Sequence, residues 1–375
     1  MTSKERVYAA LNHEEADRVP LDIGAINNTA MHQIIEKKIK ERLGLVDHGY
    51  MIKSLFQLIT VPDPSIVNYF GVDTCSIYLN ESTPWKDNGD GTFTDMWGIR
   101  QKLNPDGLYY NMASHPLEDV ETEEDLDAYH FPELTDYMVE GLAERLEANQ
   151  DKFCVLEGFR EPMFGLPSWL RRNENFYMDL LEDPELCDAL HDRILAFYIR
   201  WIDFVMEKLG DSAKYLDCIK FADDMGTQNS MLMSMSTYRE RVKPYQAALY
   251  GHVKKKYGKK VLLHSCGAIR PIIDDLIEIG VDALNPVQIS AAGMEPEGLK
   301  RDFGDRITFW GGGIDTQHVL PTASLEEIRE SVRHNLSVFK KGGGYVFCQV
   351  HNLQGNLDPE RVLAMYDAFR ENAAY

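Results

Sequence analysis

From residue 134 onward the chain alternates between short apolar runs and longer amphipathic ones, and this alternation limits the fold more than any other feature. Periodicity predicts helices over 134–149, 173–182, 184–209, 237–256, 268–279, 294–303, 324–340 and 358–373. Between them lie strand-like runs at 153–158, 218–222, 261–264, 282–284, 307–310 and 345–350. Two earlier runs, 18–24 and 72–78, bring the expected strands to eight. Strands that alternate with helices form a parallel sheet covered on both faces, and eight such units close on themselves. The expected fold class is α/β: a (β/α)8 TIM-type barrel.

The remaining segments decorate that barrel. Residues 3–11 read as an N-terminal helix capped by Ser3, and 29–43 as a second helix. Between 84 and 115 the texture changes to Asp-Gly and Asn-Gly turns flanked by aromatics, which predicts an antiparallel hairpin insertion. The chain is expected to form a single domain over 1–375. Its 39 basic and 60 acidic residues leave a net charge of −21, which repels nucleic acid and suits small-molecule chemistry or a protein partner. No run of about eighteen apolar residues is present, so no membrane span is expected. Six scattered cysteines without scaffold spacing read as reduced, as in a cytoplasmic protein.

In parallel barrels the chemistry collects at the carboxyl ends of the strands. Here Val261-Leu-Leu-His264-Ser-Cys266-Gly267 ends an apolar run in two soft-metal ligands spaced i, i+2, on one face of an extended chain. The pair alone also fits a buried histidine beside an inert core cysteine. Other strand ends carry Glu157 and Arg160, Asp224 and Gln228, Asn285 and Gln288, and His351 and Asn352. That is more chemistry than turns require, and it points to a site at the barrel mouth. Asp224 suits a general acid or a turn cap. The amides suit substrate orientation or loop satisfaction, and Arg160 with Glu157 suits substrate or a simple ion pair. Phe164 and Met225 lie beside the mouth in sequence and are candidates to floor a flat apolar substrate. No GxGxxG follows the first strand, so a Rossmann dinucleotide site has no support.

Taken together, His264-Ser-Cys-Gly267, Asp223-Asp-Met-Gly-Thr-Gln228, Asp179-Leu-Leu-Glu-Asp-Pro184 and Gly280-Val-Asp-Ala-Leu284 resemble the uroporphyrinogen decarboxylase superfamily. The resemblance runs from Arg18-Val-Pro to Pro359-Glu360 and implies a (β/α)8 barrel. One branch decarboxylates a tetrapyrrole and carries an arginine-rich segment after its first strand. Here Leu21-Asp-Ile-Gly-Ala-Ile-Asn-Asn28 has no arginine. The other branch comprises zinc methyltransferases of corrinoid-dependent methyl transfer, with H-x-C near the sixth strand and a cysteine beyond the last. His264 and Cys266 match. Counting from Gly343-Gly344, His351 occupies the third position, and Cys348 lies three residues earlier as the substitute ligand.

Asn285-Pro-Val-Gln288 with His351-Asn-Leu-Gln354 resembles the subgroup that O-demethylates methoxylated aromatics. The resemblance therefore implies Zn2+ held by His264, Cys266 and His351. It also implies a corrinoid (cobalamin) carried by a separate corrinoid protein, and a small-molecule methyl donor. Catalytic roles would fall to Asp224 and Gln228, and substrate contacts to Glu157, Arg160, Asn285, Gln288, Asn352, Met225 and Phe164. A homodimer is compatible with this reading. The alternatives are a uroporphyrinogen-type decarboxylase, a methylcorrinoid:thiol methyltransferase and a non-catalytic binding barrel.

Overall fold

The computed structural model describes residues 1–375. Seven strands build its main sheet: β1 (Thr74–Tyr78), β2 (Phe153–Glu157), β3 (Cys218–Ala222), β4 (Lys260–His264), β5 (Ala283–Asn285), β6 (Thr308–Trp310) and β7 (Tyr345–Val346). They lie side by side in chain order, each parallel to its neighbours. The two outer strands are joined through the segment around Leu21. Phe347 N donates to Pro20 O at 2.9 Å, Asp22 N to Phe347 O at 3.0 Å, and Asp73 N to Leu21 O at 2.9 Å. This eighth staple closes the barrel. The run expected as a strand over 18–24 forms only isolated bridges, because Pro20 has no N–H to give to the ladder.

Side chains alternate across each strand. Phe153, Val155, Cys218, Leu262, Ala283, Trp310 and Val346 face inward and pack on Val7, Ala10 and Leu11 of helix Ser3–Leu11, which plugs the barrel floor. The intervening Leu156, Ile219, Leu263 and Phe309 belong to the larger core under the outer helices. Two residues further along the inward-facing parity come Glu157, Lys220, His264 and Asn285. A barrel that is apolar below is therefore polar at its mouth.

Most outer helices form near their expected spans, but 134–149 is a 3-10 turn at Asp136–Val139 and a helix only from Leu142 to Ala148, because Gly141 at φ +68 interrupts it. The strand expected over 345–350 is regular only at Tyr345–Val346. The helix ends follow capping chemistry. Asp358 accepts from Glu360 N ahead of Pro359 in Pro359–Asn372, and Ser324 with Glu327 makes a capping box for Leu325–Phe339. At the N-terminus the cap is Thr2 rather than the expected Ser3, with Glu5 completing the box. The insertion is a four-stranded antiparallel sheet, Lys86–Asp87, Thr92–Thr94, Arg100–Leu103 and Tyr110–Met112. An unanticipated hairpin, Met51–Ser54 with Ile59–Val61, sits beside it, joined by Tyr110 N donating to Phe56 O at 2.8 Å. It reaches over the barrel mouth.

Candidate metal centre at the barrel mouth

His264 ends β4, faces inward and is 1% exposed. Its Nδ1 lies 2.5 Å from Asn285 Oδ1, while Asn285 Nδ2 donates to Trp310 O at 2.7 Å. An amide oxygen only accepts, so the imidazole proton sits on Nδ1 and the Nε2 lone pair points into the mouth. His351 repeats the arrangement: its Nδ1 lies 2.7 Å from Asn352 Oδ1, which also accepts from Gln354 Nε2. Burial pushes His264 down to about 3 and His351 below its ordinary value, so both rings are neutral. His351 adopts φ +133, a strained backbone for a residue with a Cβ, and strain of this kind gathers at functional positions.

Cys266 Sγ lies 3.3 Å from His264 Nε2. Its position is fixed by two loops that interlock. Cys266 N donates to Asp224 Oδ1 at 2.8 Å, Gly267 N to Gln288 Oε1 at 2.8 Å, and Ala268 N to Thr227 O at 2.7 Å. Gly267 has φ +89, and a Cβ there would lie 2.4 Å from the Gly226 backbone, so these two glycines let the loops touch. Burial, reinforced by the Asp224 and Glu161 charges, pushes the Cys266 thiol up. A cation bound at the sulfur would reverse that preference.

The ligand atoms of His264, Cys266 and His351 all lie within 4.8 Å of one another. A four-coordinate ion with bonds of about 2.0–2.3 Å sets its ligands about 3.3–3.8 Å apart; the 3.3 Å between His264 Nε2 and Cys266 Sγ meets this range, and the donor set fits zinc. Both histidines have the carboxamide support on Nδ1 that metal-bound imidazoles need. The alternative third ligand, Cys348, is fully buried among Trp310 and Val346 inside the barrel and stands outside this group. Asp224 Oδ1 is 3.6 Å from His264 Nε2, with its side chain about two-fifths exposed at 42%.

Beside the three donors opens a cleft of about 700 Å3, lined by Cys266, His351, Gln228, Gln288, Gln317 and Asn352 among others. Gln317 Oε1 accepts from Gln228 Nε2 and from Gln288 Nε2, each at 3.3 Å. No lysine, arginine, aspartate or glutamate lines it, and Pro321 and Leu357 are its apolar members.

The other expected contacts sit elsewhere. Glu157 accepts from Lys53 Nζ at 2.5 Å, from Ser76 Oγ at 3.0 Å and from Asn27 N at 2.8 Å. It therefore does not pair with Arg160, whose guanidinium binds the Glu81 carboxylate beside a smaller cavity of about 230 Å3. Phe164 and Met225 are buried at 2% and 0% and do not floor the cleft. For Phe164 the cause is Asp223, which accepts from Met163 N at 3.1 Å, Phe164 N at 2.7 Å and Gly165 N at 3.2 Å. That turn drives the Phe164 ring onto Phe176 and Tyr177.

Sequence reading missed Asn28, Lys53, Glu161 and Lys220. Burial raises the Glu161 carboxyl well above its usual range, with Asp224 and Asp223 adding to the shift. Burial lowers the Lys220 ammonium. Lys220 was findable, since a lysine inside Cys218-Ile-Lys-Phe-Ala222 lies on the inward parity. Lys53 was not, because nothing nearby marks a strand end.

A closed parallel barrel with titratable groups and three soft-metal donors at its mouth defines an α/β barrel of the enzyme type. The family model described as uroporphyrinogen decarboxylase (URO-D) matches residues 110–372, and the chain belongs to that family. Among solved structures, the fold is shared with a methyltransferase from Methanosarcina mazei, at 18% identity, 99% coverage of both chains and a TM-score of 0.63. No curated protein sequence matches the chain.

Proposed function

We propose that this chain is a methyltransferase within its family. It would move a methyl group from a small methylated donor, a methoxylated aromatic in the reading the sequence favours, to the cob(I)alamin of a separate corrinoid protein. The observation that carries this reading is the convergence of two neutral Nε2 lone pairs and one thiol on a common point. His264, Cys266 and His351 would hold a Zn2+ ion, which would supply Lewis acidity for a departing oxygen. The amides of Gln228, Gln288 and Asn352 orient the donor's polar atoms. Asp224 stands beside His264 with an accessible carboxyl and would hold the Cys266 loop in place through Cys266 N. The lining argues against the tetrapyrrole decarboxylase alternative, because a substrate with many carboxylates needs cations and the cleft has none.

The test is optical and anaerobic. Cob(I)alamin, free or on a corrinoid protein, is mixed with the protein and a panel of methoxyarenes, methanol and methylamines. Loss of the cob(I)alamin band with growth of methylcobalamin for one donor supports the reading. Demethylation of methylcobalamin by an added thiol, with every donor silent, moves the chain to the reverse reaction. Silence in both directions overturns methyl transfer.

A further inference from the structure

Asn28 lies in the turn that follows the barrel's closing segment, and no chemistry has yet been assigned to it. Its side chain reaches two of the three donors. Nδ2 lies 3.1 Å from His264 Nε2 and 3.3 Å from His351 Nε2, and His264 Nε2 lies 3.3 Å from Cys266 Sγ. The residue is 8% exposed, and its Oδ1 is buried without any hydrogen-bond partner. A buried carbonyl oxygen without a donor is destabilising, so its presence calls for a cause. The two ends of a carboxamide are nearly isosteric, and their assignment depends on the surroundings.

Both histidines turn unprotonated nitrogens toward this one amide. A metal-free site answers them with an N–H2 donor; an ion among the same nitrogens favours the carbonyl oxygen in that place. The spacings of 3.1 and 3.3 Å come within a few tenths of an ångström of the about 3.4 Å that separates neighbouring ligands of a tetrahedral ion with bonds near 2.1 Å. Resting on the reading of His264, Cys266 and His351 as metal ligands, we propose that the Asn28 side-chain carbonyl oxygen is the fourth ligand of that ion. A neutral oxygen is the weakest donor of the set, so it is the ligand a donor molecule's own oxygen would replace. Asn28 thereby holds the exchangeable position of the centre.

The test compares wild type with Asn28→Leu and Asn28→Asp, each stripped with chelator and titrated with Zn2+ and Co2+ against a chromophoric competitor. Visible Co2+ spectra and thermal melts are recorded with and without ion. A fourth ligand predicts that Asn28→Leu weakens ion binding by about 10–100-fold and alters the Co2+ bands. It also predicts that Asn28→Asp, which keeps an oxygen ligand, binds at least as tightly as wild type and gains more thermal stability from the ion. Unchanged affinity and spectrum in Asn28→Leu overturn the proposal while leaving the three-ligand site standing. Weak ion binding in Asn28→Asp, equal to that of Asn28→Leu, overturns it too and marks Asn28 as an N–H donor. Wild type that takes up neither ion overturns the metal reading and this proposal together.

Discussion

At the scale of single residues, the site depends on which atom of each ring carries the proton. Asn285 sets this for His264, so Asn285→Leu should leave the fold intact and lower zinc affinity by about 10–100-fold, measured by competition titration. Direct removal of a ligand goes further. His264→Ala should lose both bound zinc and methyl transfer; full activity with normal zinc content in that variant would falsify the metal assignment. Much of this was legible in advance. The i, i+2 spacing of His264 and Cys266 at the end of an apolar run leads to two donors on one face, and the structure brings them together with His351. Phe164 leaves the cleft expected for it because Asp223 gathers three backbone N–H groups and turns that segment into the core. No local pattern announces such a carboxylate, since its partners lie about sixty residues away.

Elements differ in how plainly they are written. Strands 218–222 and 261–264 were placed to within a residue, because a continuous run of buried side chains needs no context. The hairpin Met51–Ser54 with Ile59–Val61 was missed, since its connection, Leu55-Phe-Gln-Leu58, lacks the glycine or asparagine that marks a turn. The helix expected over 268–279 is regular only from Ile273 to Glu278, because Pro271 imposes a tighter turn before it. Between elements, one carboxylate joins the helix Pro184–Leu209 to the segment ending near Tyr257. Asp203 accepts from His252 Nε2 and Tyr257 OH at 2.6 Å each and pairs with Lys256 Nζ at 2.9 Å. Burial acts to raise this carboxyl, but these hydrogen bonds outweigh it and bring it down to about 2. A carboxyl depressed in the folded state stabilises the fold above its unfolded value near 4, and that contribution fades as pH falls toward 2. Urea midpoints of wild type and Asp203→Asn should therefore differ most above pH 4 and converge toward pH 2. A gap that stays constant with pH would contradict the linkage.

Across the whole molecule, closure of the barrel is the decisive event, and one buried carboxylate organises it. Asp73 accepts from Arg6 at 2.7 Å, from Arg18 at 2.7 Å and from Leu21 N at 2.8 Å, joining the floor helix, the closing segment and the approach to β1. Asp73→Ala leaves Arg6 with Asp17 as its one remaining carboxylate and takes the acceptor from Leu21 N, and unfolding in urea should show a loss of about 1–3 kcal/mol. The count of eight alternating units made the barrel legible from sequence. The closing segment was the least regular of the eight, because a proline-containing run closes the ring through a few bonds and an ion pair rather than a full ladder.

The hairpin over the mouth has a consequence for molecular traffic. Lys53 is driven into the barrel top with its side chain fully buried against Glu157. Withdrawing it would leave the buried Glu157 carboxylate without its cation, at a cost of about 3 kcal/mol or more, so fewer than about one molecule in a hundred would have that side open at any moment. This quarter of the rim is a wall. The amide-lined quarter, with Gln228 and Gln317 at the solvent edge, is the doorway. Anything bound beside His351 must come and go through it.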